Sequence, residues 1–106
     1  MNRKPYWRGV FPAITTQMKR DGSIDFDATA RHVEALLDSG VSGLIFLGSL
    51  GENQVMTPDE KRTVLDMAVK VVFGRVPVLS GVAEASTAEA VRFVHDAGKL
   101  GVDGVM

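Results

Sequence analysis

Cysteine is absent from this 106-residue chain, which excludes a disulfide framework, a thiolate metal site and a cysteine nucleophile. Net charge is nearly absent too: a formal −1 provides no field able to hold a nucleic-acid backbone or an anionic membrane. With one tryptophan and one tyrosine there is no aromatic stripe on which bases would stack. Long apolar runs are also missing. Arg8 and Pro12 interrupt the start of the chain, so neither a signal peptide nor a membrane span is expected. His32 and His95 have no partner at metal-ligand spacing such as H-x-x-x-H, so core-edge or surface roles are expected and a metal site is not supported. What remains is a small-molecule partner, with the cytoplasm as default location.

The composition that is present, 45% hydrophobic and 24% charged, is that of one globular domain over residues 1–106. The stretch that organises it is Gly48-Ser49-Leu50-Gly51-Glu52, which follows the apolar run Gly43-Leu44-Ile45-Phe46-Leu47. An apolar run ending abruptly in a glycine-bracketed hydroxyl and a carboxylate reads as a buried parallel strand that delivers polar groups at its carboxyl end. That end is where α/β proteins keep their chemistry.

Three other apolar runs accompany it. Residues 9–16 form an expected first strand with Pro12 near its start or at an irregular edge. Residues 76–81 read as a third strand and residues 102–106 as the beginning of a fourth. Between them the apolar period becomes helical. Ala30, Val33, Leu36 and Leu37 give a first helix its buried stripe, with Asp25 as N-cap and Asp27 in the first turn. Thr57-Pro58-Asp59-Glu60 is a capping box with proline at the first helical position, opening a helix that buries Val64, Leu65, Ala68, Val71 and Val72. Ser86-Thr87-Ala88-Glu89 reads as a second capping box, and the helix it starts is expected to turn Ala90, Val91, Val94 and Ala97 inward. The pairs Lys19-Arg20 and Lys61-Arg62 are flanked by acids and read as solvated surface, as does Glu84 in its loop.

The order β-α-β-α-β-α-β calls for right-handed crossovers and a parallel α/β sheet. Two folds accommodate it: an open doubly wound sheet, or the N-terminal portion of a TIM (β/α)8 barrel. A closed barrel takes about 250 residues, so on the barrel reading the chain is a truncated domain lacking the C-terminal half. Its first and fourth strands then keep unpaired edges, and the isolated chain is expected to be oligomeric or poorly soluble.

Taken in order, Gly9-Val10-Phe11-Pro12-Ala13-Ile14-Thr15-Thr16, Gly40-Val41-Ser42-Gly43, Gly48-Ser49-Leu50-Gly51-Glu52-Asn53, Thr57-Pro58-Asp59-Glu60-Lys61, Gly74-Arg75-Val76-Pro77-Val78 and Ser86-Thr87-Ala88-Glu89-Ala90 carry a resemblance. The chain resembles the N-terminal part of the dihydrodipicolinate synthase and N-acetylneuraminate lyase family, pyruvate-dependent class I aldolases built on a TIM barrel. The resemblance implies a homo-oligomeric lyase without cofactor or metal, acting through a lysine Schiff base with pyruvate or a related 2-keto acid. It implies Ser49 as a proton-relay hydroxyl, and the backbone N–H groups around Ser49 and Leu50 as the seat of the substrate carboxylate.

Elementary chemistry is compatible with that seat, because backbone N–H groups in a glycine-permitted turn converge on an anion without a charge of their own. Ser49 could instead only satisfy the turn. Thr15 and Thr16 end the first strand, where Thr16 would either line the substrate pocket or close the turn. Gly48 and Gly51 read as conformational, and Glu52 as a structural carboxylate tying neighbouring N–H groups rather than a general base. A phosphate cradle is the weaker reading of the loop, which matches neither G-x-G-x-x-G nor the lysine-bearing P-loop.

Two features depart from the family pattern. Leu50 stands where a second hydroxyl is usual, and Thr16-Gln17-Met18 replaces a threonine-proline-aromatic run. A 2-keto acid dehydratase or deaminase is therefore the alternative activity. The Schiff-base lysine is absent from this chain: Lys61, Lys70 and Lys99 fall on helices, Lys4 in the leader and Lys19 in a loop, so the chain alone is expected to be inactive. From another class altogether, the chain could be a non-catalytic structural segment that assembles with the missing half.

Overall fold

The computed structural model describes residues 6–106; Lys4 lies outside them. Helix α1 spans Phe26–Asp38, and Asp25 caps it by accepting from the Ala28 N–H at 3.0 Å. It stops at Ser39, after which Gly40 takes φ 89°, a conformation open to a residue without Cβ. Helix α2, Pro58–Val72, opens with a complete capping box: the Glu60 N–H donates to Thr57 Oγ1 at 3.1 Å and the Thr57 N–H to Glu60 Oε1 at 2.8 Å. Helix α3, Thr87–Leu100, has only half a box. Ser86 Oγ accepts from the Glu89 N–H at 3.1 Å, but the Glu89 carboxylate turns to Arg92 instead of reaching back.

Strands β1 (Leu44–Phe46), β2 (Val78–Ser80) and β3 (Gly104–Val105) form a parallel sheet in that order. The expected first strand is reduced to a single parallel bridge, Ala13 to Ile45. The Ile14 N–H still donates to Ile45 O at 2.8 Å and the Ile45 N–H to Pro12 O at 3.0 Å. Pro12 has no N–H to continue the ladder, which is why the segment lies in strand position without being a full strand. The spatial order of segment 10–14, β1, β2 and β3 follows the chain without reversal. With right-handed crossovers such an order puts every helix on the same face. A doubly wound sheet needs a reversal, so the architecture is that of a barrel wall.

Leu44, Phe46, Val78 and Ser80 point to the helices and are buried, whereas Ile45 and Leu79 on the opposite face are only partly so. The core between sheet and helices contains Val33, Val64, Leu65, Ala68, Val72, Phe93 and Ala97. At the amino ends of the strands, the Phe11 ring covers Gly43 and the Trp7 ring covers Gly104. The two rings lie 6.0 Å apart, centroid to centroid.

Two expectations about the helices are corrected. In α3 the buried stripe is Phe93 and Ala97, while Val91 and Val94 are 63% and 39% exposed. The helix is apolar on more than one side, and the large Phe93 ring takes the interface with α2, beneath the Arg62 guanidinium at 5.4 Å. Nor are Lys61 and Arg62 solvated surface. Lys61 is 4% exposed, and its ammonium donates to Glu84 Oε1 at 3.1 Å and to Ala83 O at 3.4 Å. Glu84 is accordingly a largely buried ion-pair partner, and the pair ties α2 to the loop after β2. Arg62 Nε donates to Asp96 Oδ2 at 2.8 Å, tying α2 to α3. A charged residue near the first turn of a helix can face inward when the adjacent loop supplies a carboxylate, which one helix's pattern does not reveal.

Three outcomes follow from this framework. Lys61→Met should strand a carboxylate whose side chain is 11% exposed and cost about 3 kcal/mol in urea unfolding, with Lys61→Met/Glu84→Leu recovering most of the loss. Phe73, left-handed at φ 51° and 85% exposed, ends α2 where glycine or asparagine is favoured. Phe73→Asn should therefore raise the unfolding midpoint by the equivalent of about 0.5 kcal/mol. The Arg62 hydrogen bond holds the Asp96 carboxyl below its ordinary 3.8. That contribution is complete above 3.8 and lost as pH falls through the lowered value, so the advantage of wild type over Asp96→Asn should be present at pH 7 and gone in strong acid.

Candidate functional site

Beyond β1 the backbone leaves the sheet abruptly. Leu47 is buried and left-handed at φ 57°, which costs about 1 kcal/mol in a residue with a Cβ. Gly48 O then accepts from the N–H groups of Gly51 at 3.0 Å and Asn53 at 3.4 Å, and Ser49 O from the Glu52 N–H at 3.1 Å. These bonds coil residues 48–52 into a double turn that runs into a short 3-10 helix, Asn53–Val55. The turn is fixed from two sides. Thr16 Oγ1 donates to Gly51 O at 2.8 Å, and Asn53 Nδ2 donates to Leu47 O at 2.8 Å.

Facing this turn is the end of β2. The Gly81 N–H donates to Phe46 O at 2.8 Å, and a Cβ at position 81 would stand 2.3 Å from the Leu47 carbonyl oxygen. Only glycine permits that approach. Between the two strand ends lies an open pocket of about 220 Å³ whose wall includes Gly48, Ser49, Asn53, Gly81, Ala83 and Met106. It sits at the carboxyl ends of all three strands.

Ser49 lines this pocket, is exposed, and its hydroxyl makes no hydrogen bond among the described residues. The Ser49 and Leu50 N–H groups likewise have no acceptor among them. Unpartnered backbone N–H groups in a turn, such as that of Ser49 on the pocket wall, are able to hold an anion without a cation. The Leu50 side chain is 65% exposed and away from the pocket wall.

The remaining residues of the motif are placed as follows. Thr16 is buried and does not line the pocket; its hydroxyl holds the turn through Gly51 O. Gly51 is required by crowding, since a Cβ there would meet Leu47 N at 3.0 Å and Ile14 O at 3.1 Å. Gly48 has open space where a Cβ would go and no positive φ. The Glu52 side chain caps nothing in the 3-10 helix, and its contribution to the turn is a left-handed backbone at φ 59°. The residues that sequence reasoning did not single out are Asn53 and Gly81. Asn53 carried a signal, as an amide directly after a turn that needs internal donors; Gly81 carried only its position at a strand end.

Among the described residues no lysine lines the pocket. Lys61 is engaged by Glu84 and Ala83, and Lys70 by Asp66 at 2.8 Å. Among the described residues no group of three or more histidine, aspartate or glutamate side chains could hold a metal ion, and no helix is long and apolar enough to cross a membrane.

Comparison with known proteins gives this geometry its context. The family described as the dihydrodipicolinate synthetase family matches residues 6–106. A 4-hydroxy-tetrahydrodipicolinate synthase of Methanococcus maripaludis is 42% identical over 99 residues, covering 93% of this chain and 34% of the relative. Among solved structures, dihydrodipicolinate synthase of Aquifex aeolicus superposes with a TM-score of 0.88 at 31% identity, over 93% of this chain and 33% of that one. YagE of E. coli K12, a member of the dihydrodipicolinic acid synthase family solved in complex with pyruvate, superposes with a TM-score of 0.89 at 33% identity, over 93% and 33%. The chain thus spans about a third of the length of the curated relatives it matches. With a singly wound parallel wall, a polar turn at the strand ends and a match over nearly its whole length, the chain belongs to the dihydrodipicolinate synthetase family, whose fold is a TIM barrel.

Proposed function

We propose that this chain supplies the N-terminal part of a Schiff-base lyase acting on pyruvate or a related 2-keto acid, and that residues 1–106 are a partial barrel domain. The observation that carries the reading is the Ser49 N–H and hydroxyl, both without a partner among the described residues, on the wall of a pocket at the strand ends, with the unpartnered Leu50 N–H next in the chain. A 2-keto acid presents a carboxylate next to its reactive carbonyl. Seated on those N–H groups, the carboxylate is held by dipoles that add no charge to the pocket. The Ser49 hydroxyl, with no partner to satisfy, is free to pass a proton in a relay. Thr16 serves the seat indirectly by fixing Gly51.

The pyruvate bound to YagE supports a substrate of this class. The nucleophilic amine is assigned to a part of the protein outside this chain, since no lysine among the described residues lines the pocket. The chain by itself is then inactive. It works as one wall of a homo-oligomeric cytoplasmic enzyme that needs no cofactor. Leu50 lacks the hydroxyl of the usual motif, which leaves a dehydratase or deaminase of the same substrate class as the second reading.

Two measurements test this. Borohydride with pyruvate should leave a covalent adduct on a lysine of the full-length protein and none on the 106-residue chain; an adduct on a lysine of this chain would overturn the assignment. Ser49→Ala in the full-length protein should lower kcat by about 100-fold, the lower range for a proton-transfer group, with unchanged thermal unfolding. Wild-type turnover in that variant would remove Ser49 from the relay.

A further inference from the structure

The amide of Asn53 is not explained by packing alone. The residue is 1% exposed, yet only one side of its amide is used. Nδ2 donates to Leu47 O at 2.8 Å, while Oδ1 is buried with no partner among the described residues. A buried acceptor without a donor works against stability. An apolar side chain of the same shape would trade that stranded oxygen for another, the Leu47 carbonyl left without its donor, so the amide is spent on holding that carbonyl.

What it contributes is the orientation of Leu47. This residue is left-handed at φ 57°, a conformation that branched and bulky side chains hold only when their surroundings impose it. Its carbonyl is pinned by Asn53 Nδ2 on one side and lies against Gly81 on the other, where a Cβ would be 2.3 Å away. The next residues are Gly48 and Ser49, and all four of Leu47, Gly48, Ser49 and Asn53 line the same pocket. A rotation about the Leu47–Gly48 peptide would swing the following N–H groups out of it. We propose that Asn53 is a positioning residue, whose buried amide locks the left-handed Leu47 so that the Ser49 and Leu50 N–H groups face the carboxylate of a 2-keto acid. The link to the ligand rests on the function proposed above; the lock on the turn does not.

The test compares Asn53→Leu, which keeps the shape but loses the donor, with Asn53→Asp, which places a second oxygen against the Leu47 carbonyl. Both are made in the full-length protein. Two quantities are read: hydrogen exchange of the Gly51 and Asn53 amides, bonded to Gly48 O, and the pyruvate concentration that half-saturates borohydride trapping. Exchange should quicken at least tenfold at those amides in both variants. Half-saturation should rise at least tenfold, with the adduct formed at saturating pyruvate little changed. Asn53→Leu should unfold within a few degrees of wild type, because losing the stranded Oδ1 offsets losing the donor.

Unchanged exchange in both variants overturns the lock. Faster exchange with unchanged half-saturation overturns its role in seating the ligand. If Asn53→Asp does not fold, Asn53→Leu alone decides both points. If wild type traps no pyruvate, the proposed function fails and with it the seating role, while the exchange comparison still decides whether Asn53 locks the turn.

Discussion

The carbonyl of Leu47 is held between the Asn53 amide and the bare backbone of Gly81, and the arrangement of the pocket follows from that confinement. Because the carbonyl cannot swing, the left-handed turn at the end of β1 has one direction in which to continue. Because the turn bonds internally through Gly48 O and Ser49 O, the N–H groups of Gly48, Ser49 and Leu50 are left without an acceptor among the described residues. The opposing strand has to offer glycine at the point of closest approach. Polarity at the strand ends is thus a matter of backbone geometry before it is a matter of side chains.

The rest of the fold supplies rigidity around this point. The bidentate Arg75–Glu34 pair, with Nη2 to Oε1 at 2.8 Å, joins the end of α2 to α1, while Arg75 also donates to the Val71 and Val72 carbonyls at the end of α2. The Arg75 hydrogen bond lowers the Glu34 carboxyl below its ordinary value. At the other end of α2, the buried Lys61–Glu84 pair fastens the loop carrying Ala83, which forms part of the pocket wall. Each end of α2 is thus held by a charge pair to a different neighbour. Exposed pairs of this kind add little stability, but a buried pair in a loop fixes its geometry.

Much of this was legible in the sequence. The capping signals at Asp25, Thr57 and Ser86 each place a helix start correctly, because a cap is a local interaction between residues three apart. The glycine-bracketed turn was legible for the same reason, as an abrupt end to an apolar run. What escaped depends on partners distant in the chain. Lys61 looks solvated until Glu84, 23 positions later, is brought beside it. Val91 and Val94 look buried until Phe93 claims the contact with α2. The first strand was overestimated because Pro12 limits pairing in a way that depends on which side of the segment its neighbour occupies. The functional weight of Asn53 was hidden because an amide in a loop announces neither its donor's target nor an acceptor left empty.

One bond has a temporal meaning as well as a spatial one. The Thr16 hydroxyl reaches Gly51 O across 35 positions of sequence, with the whole of α1 and β1 between them. Closing so long a loop is entropically expensive, and contacts of this range form late in folding. The turn that faces the pocket therefore completes itself only after the segment before α1 has docked beside β1. In the folded protein the anion seat and the N-terminal segment should open together, as neighbours tied by that one bond.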